Sequence, residues 1–295
     1  MQPNKPPQYD PVILQEKLRS ARIIATGPLN DAYELRDDGR RLFIRVRTID
    51  DLEFGQTFAG ERIAYPILPP NVFRPNLFQI GRLPASSNPF AIFEFLPSRD
   101  IDWKDRHNLN TLIDMLISIH TIRGEGFGAI SDTSLQEKNP QHFFKRLFSS
   151  EVDRIDQHSD ASAFRDIIRL VRLFNDEHPV LCHGDVHAGN LLLADDRLHL
   201  IDWEATRWRI PASDFSKIGH DWLTSDDYRY MVDRYCSLTL RDPEQFRRQI
   251  TCLKVYSHLR SWNFTNKSGR LVFGVDAATH ERLARELLAE MFYIS

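Results

Sequence analysis

The sequence has few cysteines and no long apolar run, and both absences narrow the class of protein. Its three cysteines, Cys182, Cys236 and Cys252, are too few and too widely spaced for a disulfide framework or a zinc cluster. No apolar stretch reaches the roughly 18 residues that a membrane-spanning helix requires. The polar, proline-rich segment 1–11 lacks the apolar core of a secretory signal. We therefore expect a cytoplasmic protein that has no membrane partner.

The sequence also has no marked excess of positive or negative charge. The sequence has 38 lysines and arginines against 41 aspartates and glutamates, a net charge of −3. It shows no run of like charges and no basic residues interleaved with aromatic ones, which are typical of nucleic-acid grooves, so no nucleic-acid partner is expected. A composition of 42% hydrophobic and 27% charged residues is ordinary for a globular chain of one large domain or two joined lobes.

The first third of the chain is rich in strand patterns, and the remainder is mostly helical. Strands are predicted at residues 21–27, 32–36, 41–47, 77–83 and 90–96, with a helix at 50–65 that Pro66 should end. Helices are predicted at residues 108–122, 142–155 and 162–174 and from 214 onward, the last beginning near 276. A strand–loop–strand unit at 179–202 interrupts them. The predicted domains are therefore 1–96 and 97–295.

One segment carries the chemistry. An apolar strand leads into a polar loop with Asp185 and Asn190, and a second strand unit ends near Asp202. Phosphoryl transfer needs charge neutralisation and an oriented nucleophile. Asp185 is placed to orient a hydroxyl and accept its proton, while the oxygens of Asn190 and Asp202 are suitable ligands for Mg²⁺. An aspartate, an asparagine five residues later and a further strand-end aspartate follow the order of a kinase catalytic loop.

This segment resembles the aminoglycoside phosphotransferase and choline kinase family. The resemblance is carried by His183-Gly184-Asp185, by Asn190 and by Ile201-Asp202-Trp203-Glu204. Protein kinases usually have arginine where this chain has Gly184. The resemblance implies an α+β, bilobal, protein-kinase-like fold, with a small β-rich N-lobe containing one main helix, a larger helical C-lobe, and ATP between them. It also implies that His183 braces the loop and that Asp214 hydrogen-bonds the loop backbone.

The resemblance implies a phosphate site in the N-lobe as well. Gly27 and Asn30 lie in the predicted phosphate-covering loop between the first two strands. Arg45 matches the strand cation of the family and Glu61 its helix carboxylate. Arg47, on the same face as Arg45, and Glu53 remain alternatives for these two roles.

The adenine and acceptor sites are predicted from position. Backbone groups of Glu94, Phe95 and Leu96 correspond to the hinge that binds adenine. The candidate acceptor contacts are Glu204, Asp221 and Trp262. Aromatic residues at helical spacing, Trp262 included, also fit a helical core.

The predicted function is transfer of the γ-phosphate of ATP, with Mg²⁺, to a hydroxyl of a small molecule such as an aminoglycoside-like antibiotic or an amino-alcohol like choline. One alternative is a nucleotide-binding pseudokinase without turnover. Another is a metallophosphoesterase, because the order of Asp185 and His187 resembles the start of such a site, although a later Gly-Asn-His is missing.

Overall fold

The computed structural model describes residues 8–27, 30–48, 58–219, 222–272 and 274–293. The chain groups into two compact units. The N-terminal unit comprises Met1–Asp102 and Gly189–Thr206, and the C-terminal unit comprises Trp103–Ala188 and Arg207–Ser295. The sequence-based division after residue 96 stays a prediction. In the structure, a segment from the middle of the chain that contains a hairpin belongs to the same compact unit as the N-terminal residues.

A five-stranded antiparallel sheet in the order β1-β2-β3-β5-β4 forms most of the N-terminal unit. Its strands are β1 (Arg22–Thr26), β2 (Asn30–Asp37), β3 (Arg40–Arg47), β4 (Leu77–Arg82) and β5 (Pro89–Glu94). Along β3 the alternate residues Leu42, Ile44 and Val46 are at most 5% exposed. This face of β3 packs on an apolar core, and on the opposite face Arg45 and Arg47 are buried as well.

A short helix before the sheet, α1 (Pro11–Leu18), is not among the elements predicted from the sequence. Proline is favourable in the first helical turn, and the Asp10 carboxylate accepts a hydrogen bond from the Val12 N–H at 2.8 Å. Leu14 is fully buried in the same apolar cluster as the inward residues of β3. The helix therefore covers that face of the sheet.

The N-terminal unit also contains α2 (Ala59–Ala64) and a hairpin formed by β8 (Leu191–Ala194) and β9 (Arg197–Leu200). Residues 50–57 of the helix predicted at 50–65, including the alternative carboxylate Glu53, lie outside the described residues. The hairpin is joined to the rest of the unit by hydrogen bonds from the Arg99 N–H to the Leu193 carbonyl at 3.0 Å and from the Leu200 N–H to the Phe73 carbonyl at 3.0 Å.

The C-terminal unit is mainly helical. Its α-helices are α3 (Arg106–His120), α4 (Pro140–Asp156), α5 (Ala212–Phe215), α6 (Ser225–Thr239), α7 (Pro243–Ser268) and α8 (Ala277–Tyr293). A small sheet in the order β6-β10-β7 consists of β6 (Gly128–Ala129), β7 (Val180–Cys182) and β10 (Arg207–Arg209). Segments of 3₁₀ helix in the described chain are Tyr65–Ile67, Thr133–Leu135, Ser162–Phe174, Ala188–Asn190 and Trp203–Ala205.

The predicted α+β class, with a β-rich N-terminal part and a larger helical C-terminal part, is confirmed. Two details differ. The last predicted strand, 90–96, ends at Glu94, and the short strands β6 and β10 are not predicted because two or three residues carry no periodic signal. None of the helices that the structure describes combines the length and apolarity needed to span a bilayer.

Burial of α1 can be tested with neighbouring substitutions. Leu14→Ala should lower the free energy of unfolding by about 2–5 kcal/mol, because the side chain is fully buried. Ile13→Ala, whose side chain is 49% exposed, should change it by less than about 0.5 kcal/mol. Urea denaturation would measure both values. Equal effects would show that α1 does not pack on the sheet.

Candidate active site

The predicted catalytic loop begins where β7 ends. His183, Gly184 and Asp185 follow the strand directly, and His183 is fully buried. Gly184 has a φ of 86°, in the left-handed region where a residue with a Cβ is strained. The glycine that stands in place of the protein-kinase arginine is therefore required by the backbone of this loop.

The Asp214 carboxylate, at the start of α5, holds this loop by its backbone. It accepts hydrogen bonds from the N–H of His183 at 3.0 Å and of Gly184 at 2.7 Å. The His120 Nε2 lies 3.1 Å from the same carboxylate, and the His120 Nδ1 lies 2.8 Å from the Tyr235 hydroxyl. Asp214 is fully buried, so these partners replace the water that its charge would otherwise bind.

His120 is missed by the sequence analysis. Its position on the apolar face of α3, one turn after Leu116, marks it as buried, and a buried histidine needs a polar partner. The partner is 94 positions away, so the sequence does not reveal it.

The surroundings of Asp185 favour its ionised form. Burial opposes the charge of its carboxyl, but a hydrogen bond from His187 and the positive charge of Lys217 outweigh burial and hold the pKa of Asp185 below its ordinary value. The His187 Nε2 lies 3.5 Å from the Asp185 carboxylate. Lys217, one turn after Asp214, is a second neighbour that the sequence analysis misses, and no pattern around it marks it.

Asn190 and Asp202 both belong to the N-terminal unit, on either side of the β8–β9 hairpin. The Asn190 carbonyl accepts a hydrogen bond from the Ile201 N–H at 3.0 Å, which places Asp202 next to the start of β8. Asn190 is buried, whereas the Asp202 side chain is 31% exposed. Asp202 has a φ of 64°, a conformation that short polar side chains tolerate best, so its backbone is held by the surrounding fold.

The Arg45 side chain on β3 joins three carboxylates. Its Nη1 lies 3.1 Å from Glu61 on α2 and 2.9 Å from Asp202, and its Nη2 lies 2.7 Å from Glu204. The Arg45 side chain is 8% exposed and Glu61 is fully buried. Between the two candidate arginines, Arg45 is therefore the one that contacts Glu61. The Arg47 Nη1 lies 3.6 Å from Glu204.

Gly60 lets α2 approach this cluster closely. A Cβ atom at this position would lie 2.3 Å from the Trp203 carbonyl oxygen, a distance that no side chain can accept. The absence of a side chain at Gly60 brings the neighbouring Glu61 within reach of Arg45, while Trp203 and Glu204 lie on the other side of the contact.

Three carboxylates of this cluster come close enough together to share one cation, and the Arg45 guanidinium contacts all three. Glu61, Asp202 and Glu204 each offer an oxygen, and these atoms lie within 4.8 Å of one another. Burial, together with the neighbouring carboxylates and against the opposing charge of Arg45, raises the pKa of Glu61 to about 8. Burial also raises the pKa of Glu204. Carboxylate and amide oxygens are the ligands that Mg²⁺ prefers, so Asp202 with Asn190 fits this ion chemically.

The other residues predicted to contact the nucleotide lie in or next to strands of the five-stranded sheet. The Gly27 N–H donates to the Asn30 carbonyl at 2.8 Å across residues 28–29, which lie outside the described residues. Asn30 begins β2, and its Nδ2 lies 3.4 Å from Glu204. At the other end of the sheet, Glu94 closes β5 and its carboxylate accepts from the Asn76 side chain at 2.8 Å.

Phe95 and Leu96 follow β5 and are half-buried. The Arg41 guanidinium lies 3.8 Å from the centre of the Phe95 ring, a cation–π contact that orients this segment.

The three predicted acceptor contacts fall in different places. Glu204 is bound to Arg45 in the N-terminal unit. Trp262 on α7 is 3% exposed and packs edge-on against His158 and Phe164, which favours the core role that the sequence left open. Asp221 lies outside the described residues.

Residues 20–247 match the phosphotransferase enzyme family. The chain belongs to this family. Over 200 residues the phosphotransferase is 22% identical to a protein named as a probable ketoamine kinase from Vibrio parahaemolyticus, covering 62% of this chain and 67% of the relative. The family membership predicted from the catalytic loop is thereby confirmed.

Solved structures show the same fold. A protein described as a fructosamine-3-kinase from Haemophilus somnus matches with a TM-score of 0.66 at 14% identity, covering 95% of each chain. A thermostable mutant of aminoglycoside phosphotransferase APH(4)-Ia, in ternary complex with AMP-PNP and hygromycin B, matches with a TM-score of 0.71 at 15% identity, covering 94% of this phosphotransferase and 96% of that chain. The kinase-like fold predicted for this phosphotransferase is confirmed.

The buried pair of Arg45 and Glu61 can be tested by a double-mutant cycle. Arg45→Met should destabilise the phosphotransferase by about 3–5 kcal/mol, because it leaves Glu61 buried without its guanidinium partner. Combined with Glu61→Gln, the loss should be smaller than the sum of the single losses by about 0.5–3 kcal/mol. Denaturant unfolding measures the free energy of unfolding of the wild type, the two single variants and the double variant.

The control for this cycle is the exposed pair Arg282–Glu286 on α8, at 60% and 51% exposure. Removing that pair should cost about 0.3–0.5 kcal/mol. Strict additivity at Arg45 and Glu61 would contradict a coupled pair.

Proposed function

We propose that this protein transfers the γ-phosphate of ATP to a hydroxyl group of a small molecule, with Mg²⁺. The observation that carries the proposal is the position of Arg45, whose guanidinium joins the helix carboxylate Glu61 to Asp202. A strand cation paired with a helix glutamate, next to a metal-binding aspartate, is the arrangement that kinases use to hold a nucleotide triphosphate.

Asp185 is proposed as the group that orients the acceptor hydroxyl and takes its proton. A base must be unprotonated at working pH, and the lowered pKa of Asp185 meets this requirement. Hydrogen bonding by His187 fixes the direction of the carboxylate. His183 and Asp214 are proposed as supports, because Asp214 binds the loop backbone and contributes no group to the reaction.

Asn190 and Asp202 are proposed as the protein ligands of Mg²⁺. When bound, the ion neutralises charge that develops on the phosphate oxygens during transfer. Arg45, held by Glu61, is proposed to position phosphate oxygens, and the turn at Gly27 and Asn30 to cover them. The backbone of residues 94–96 is proposed to hold adenine. A structural relative in complex with AMP-PNP supports a nucleoside triphosphate as donor.

Assays can distinguish the proposed function from two other functions. A pseudokinase would gain thermal stability with ATP but release no ADP with any acceptor. A metallophosphoesterase would cleave phosphate esters without nucleotide. The presence of Asp185, Asn190 and Asp202 favours an active enzyme over a pseudokinase. The family match favours phosphoryl transfer over hydrolysis of phosphate esters.

Asp185→Asn should reduce turnover by at least about a hundredfold and leave ATP affinity nearly unchanged, because the substitution removes the base and keeps the shape. ADP release and calorimetric ATP titration measure the two quantities. Asp226→Asn, at an 82% exposed carboxylate in the same unit, is the matched control. Full activity of Asp185→Asn would remove this residue from the mechanism.

Asp202→Ala should abolish the Mg²⁺ dependence of nucleotide binding, since a carboxylate ligand is lost. Asp196→Ala, on the turn of the same hairpin and 88% exposed, should behave as wild type. The measurement is ATP affinity across a Mg²⁺ titration, with EDTA as the zero point. An unchanged titration curve in Asp202→Ala would contradict the metal assignment.

A further inference from the structure

Within the C-terminal unit, positive side chains lie together near Lys217, which is itself a neighbour of Asp185. Arg207 and Arg209 lie on β10, which pairs with the strand that leads into the catalytic loop, and Arg207 faces Cys182 in the register. Residues 207 and 209 share one face of β10, because strand side chains alternate. The intervening Trp208 lies on the opposite face, where Gly124 leaves room for its ring. Both arginines are half-buried.

Helix α7 contributes another positive side chain to the same group of cations. The Lys217 Nζ donates to the Ser257 hydroxyl of α7 at 2.9 Å, and Arg260 lies one turn further along this helix. The Arg209 guanidinium lies 5.8 Å from the centre of the Tyr256 ring on α7. This hydrogen bond and this ring contact bring Lys217, just after α5, and Arg209 on β10 to the middle of α7.

These cations are crowded and poorly hydrated. Burial, and then the charges of Arg260 and Arg209 against the opposing charge of Asp185, lower the pKa of Lys217 to about 8. Burial and the charges of Arg209 and Arg260 lower the pKa of Arg207 to about 10. An anion placed among them would relieve this repulsion.

We propose that Arg209, Lys217 and Arg260 form a binding site for an anionic group, a carboxylate or a phosphate, on the acceptor molecule whose hydroxyl Asp185 activates. The proposal rests on the proposed function. It replaces the amino-bearing acceptor expected from the sequence with an anionic one, because a polycation or a quaternary ammonium would be repelled by these side chains.

Binding of small hydroxy compounds of matched size tests this site directly, without turnover. The probes are glycerate with a carboxylate, glycerol 3-phosphate with a phosphate, neutral glycerol and cationic ethanolamine, titrated by calorimetry at low salt. Either anionic probe should bind at least about tenfold more tightly than glycerol, and its affinity should fall as salt is added. The two anionic arms distinguish a carboxylate from a phosphate.

Arg209→Met and Lys217→Met should each weaken binding of the preferred anion by about 10- to 100-fold, the range of a lost charge-assisted hydrogen bond. Methionine keeps the apolar stem, and thermal unfolding confirms that each variant is folded. Arg169→Met, at a 78% exposed arginine of the same unit, is the control and should bind the anion as wild type does.

The outcomes separate this proposal from the proposed function. Equal affinity for all four probes, tighter binding of ethanolamine, or anion binding that Arg209→Met and Lys217→Met leave unchanged would each overturn the anionic site. ADP release with cationic acceptors would then still support a phosphotransferase. Charge-dependent binding of an anion without ADP release from any acceptor would retain the site and contradict the proposed reaction.

Discussion

The N-terminal unit depends on the charge of one side chain. Arg45 is nearly buried and faces three carboxylates, from a helix and from the segment after a hairpin. A buried carboxylate without a partner costs several kcal/mol, so these elements can pack together only while the guanidinium is present. Asp202 remains partly exposed at the edge of this cluster, and it is the carboxylate with the most access to a ligand. The same ion pairs therefore organise the fold and leave one oxygen ligand accessible.

The C-terminal unit uses the opposite charge in a comparable way. A buried carboxylate, Asp214, binds two successive backbone N–H groups of the loop that precedes Asp185, and His120 binds Asp214 from α3. Backbone contacts of this kind fix the loop without depending on its side chains. His187, Lys217 and His183 then act together on Asp185 and hold its pKa below the ordinary value against the effect of burial.

Local patterns made some of this arrangement predictable. The spacing of Asp185, Asn190 and Asp202 identifies the family, because a loop between two apolar strands is specified within about twenty residues. The sequence also places Arg45 and Arg47 on one face of β3. Only the packing of α2, through Gly60, determines which of them meets Glu61.

Features that arise from packing between distant segments were not predictable. Lys217 lies near Asp185 and near α7 because of the packing of α5. No periodic pattern in the sequence predicts these contacts. The strand β10 has three residues and is stabilised by β6 and β7, so its arginines look like ordinary surface residues in the sequence. The clustering of these positive side chains is therefore a property of the folded C-terminal unit.

The hairpin from residue 191 to residue 200 has a consequence for how the chain folds during synthesis. It supplies Asp202 and Glu204 to a sheet whose strands end at residue 94, yet about a hundred residues separate them along the chain. A ribosome that adds 5–20 residues per second therefore leaves the sheet without these carboxylates for roughly 5–20 seconds. During that interval the guanidinium of Arg45 has Glu61 as a partner but neither Asp202 nor Glu204, so the sheet can reach its final ion pairs only after the hairpin has been made.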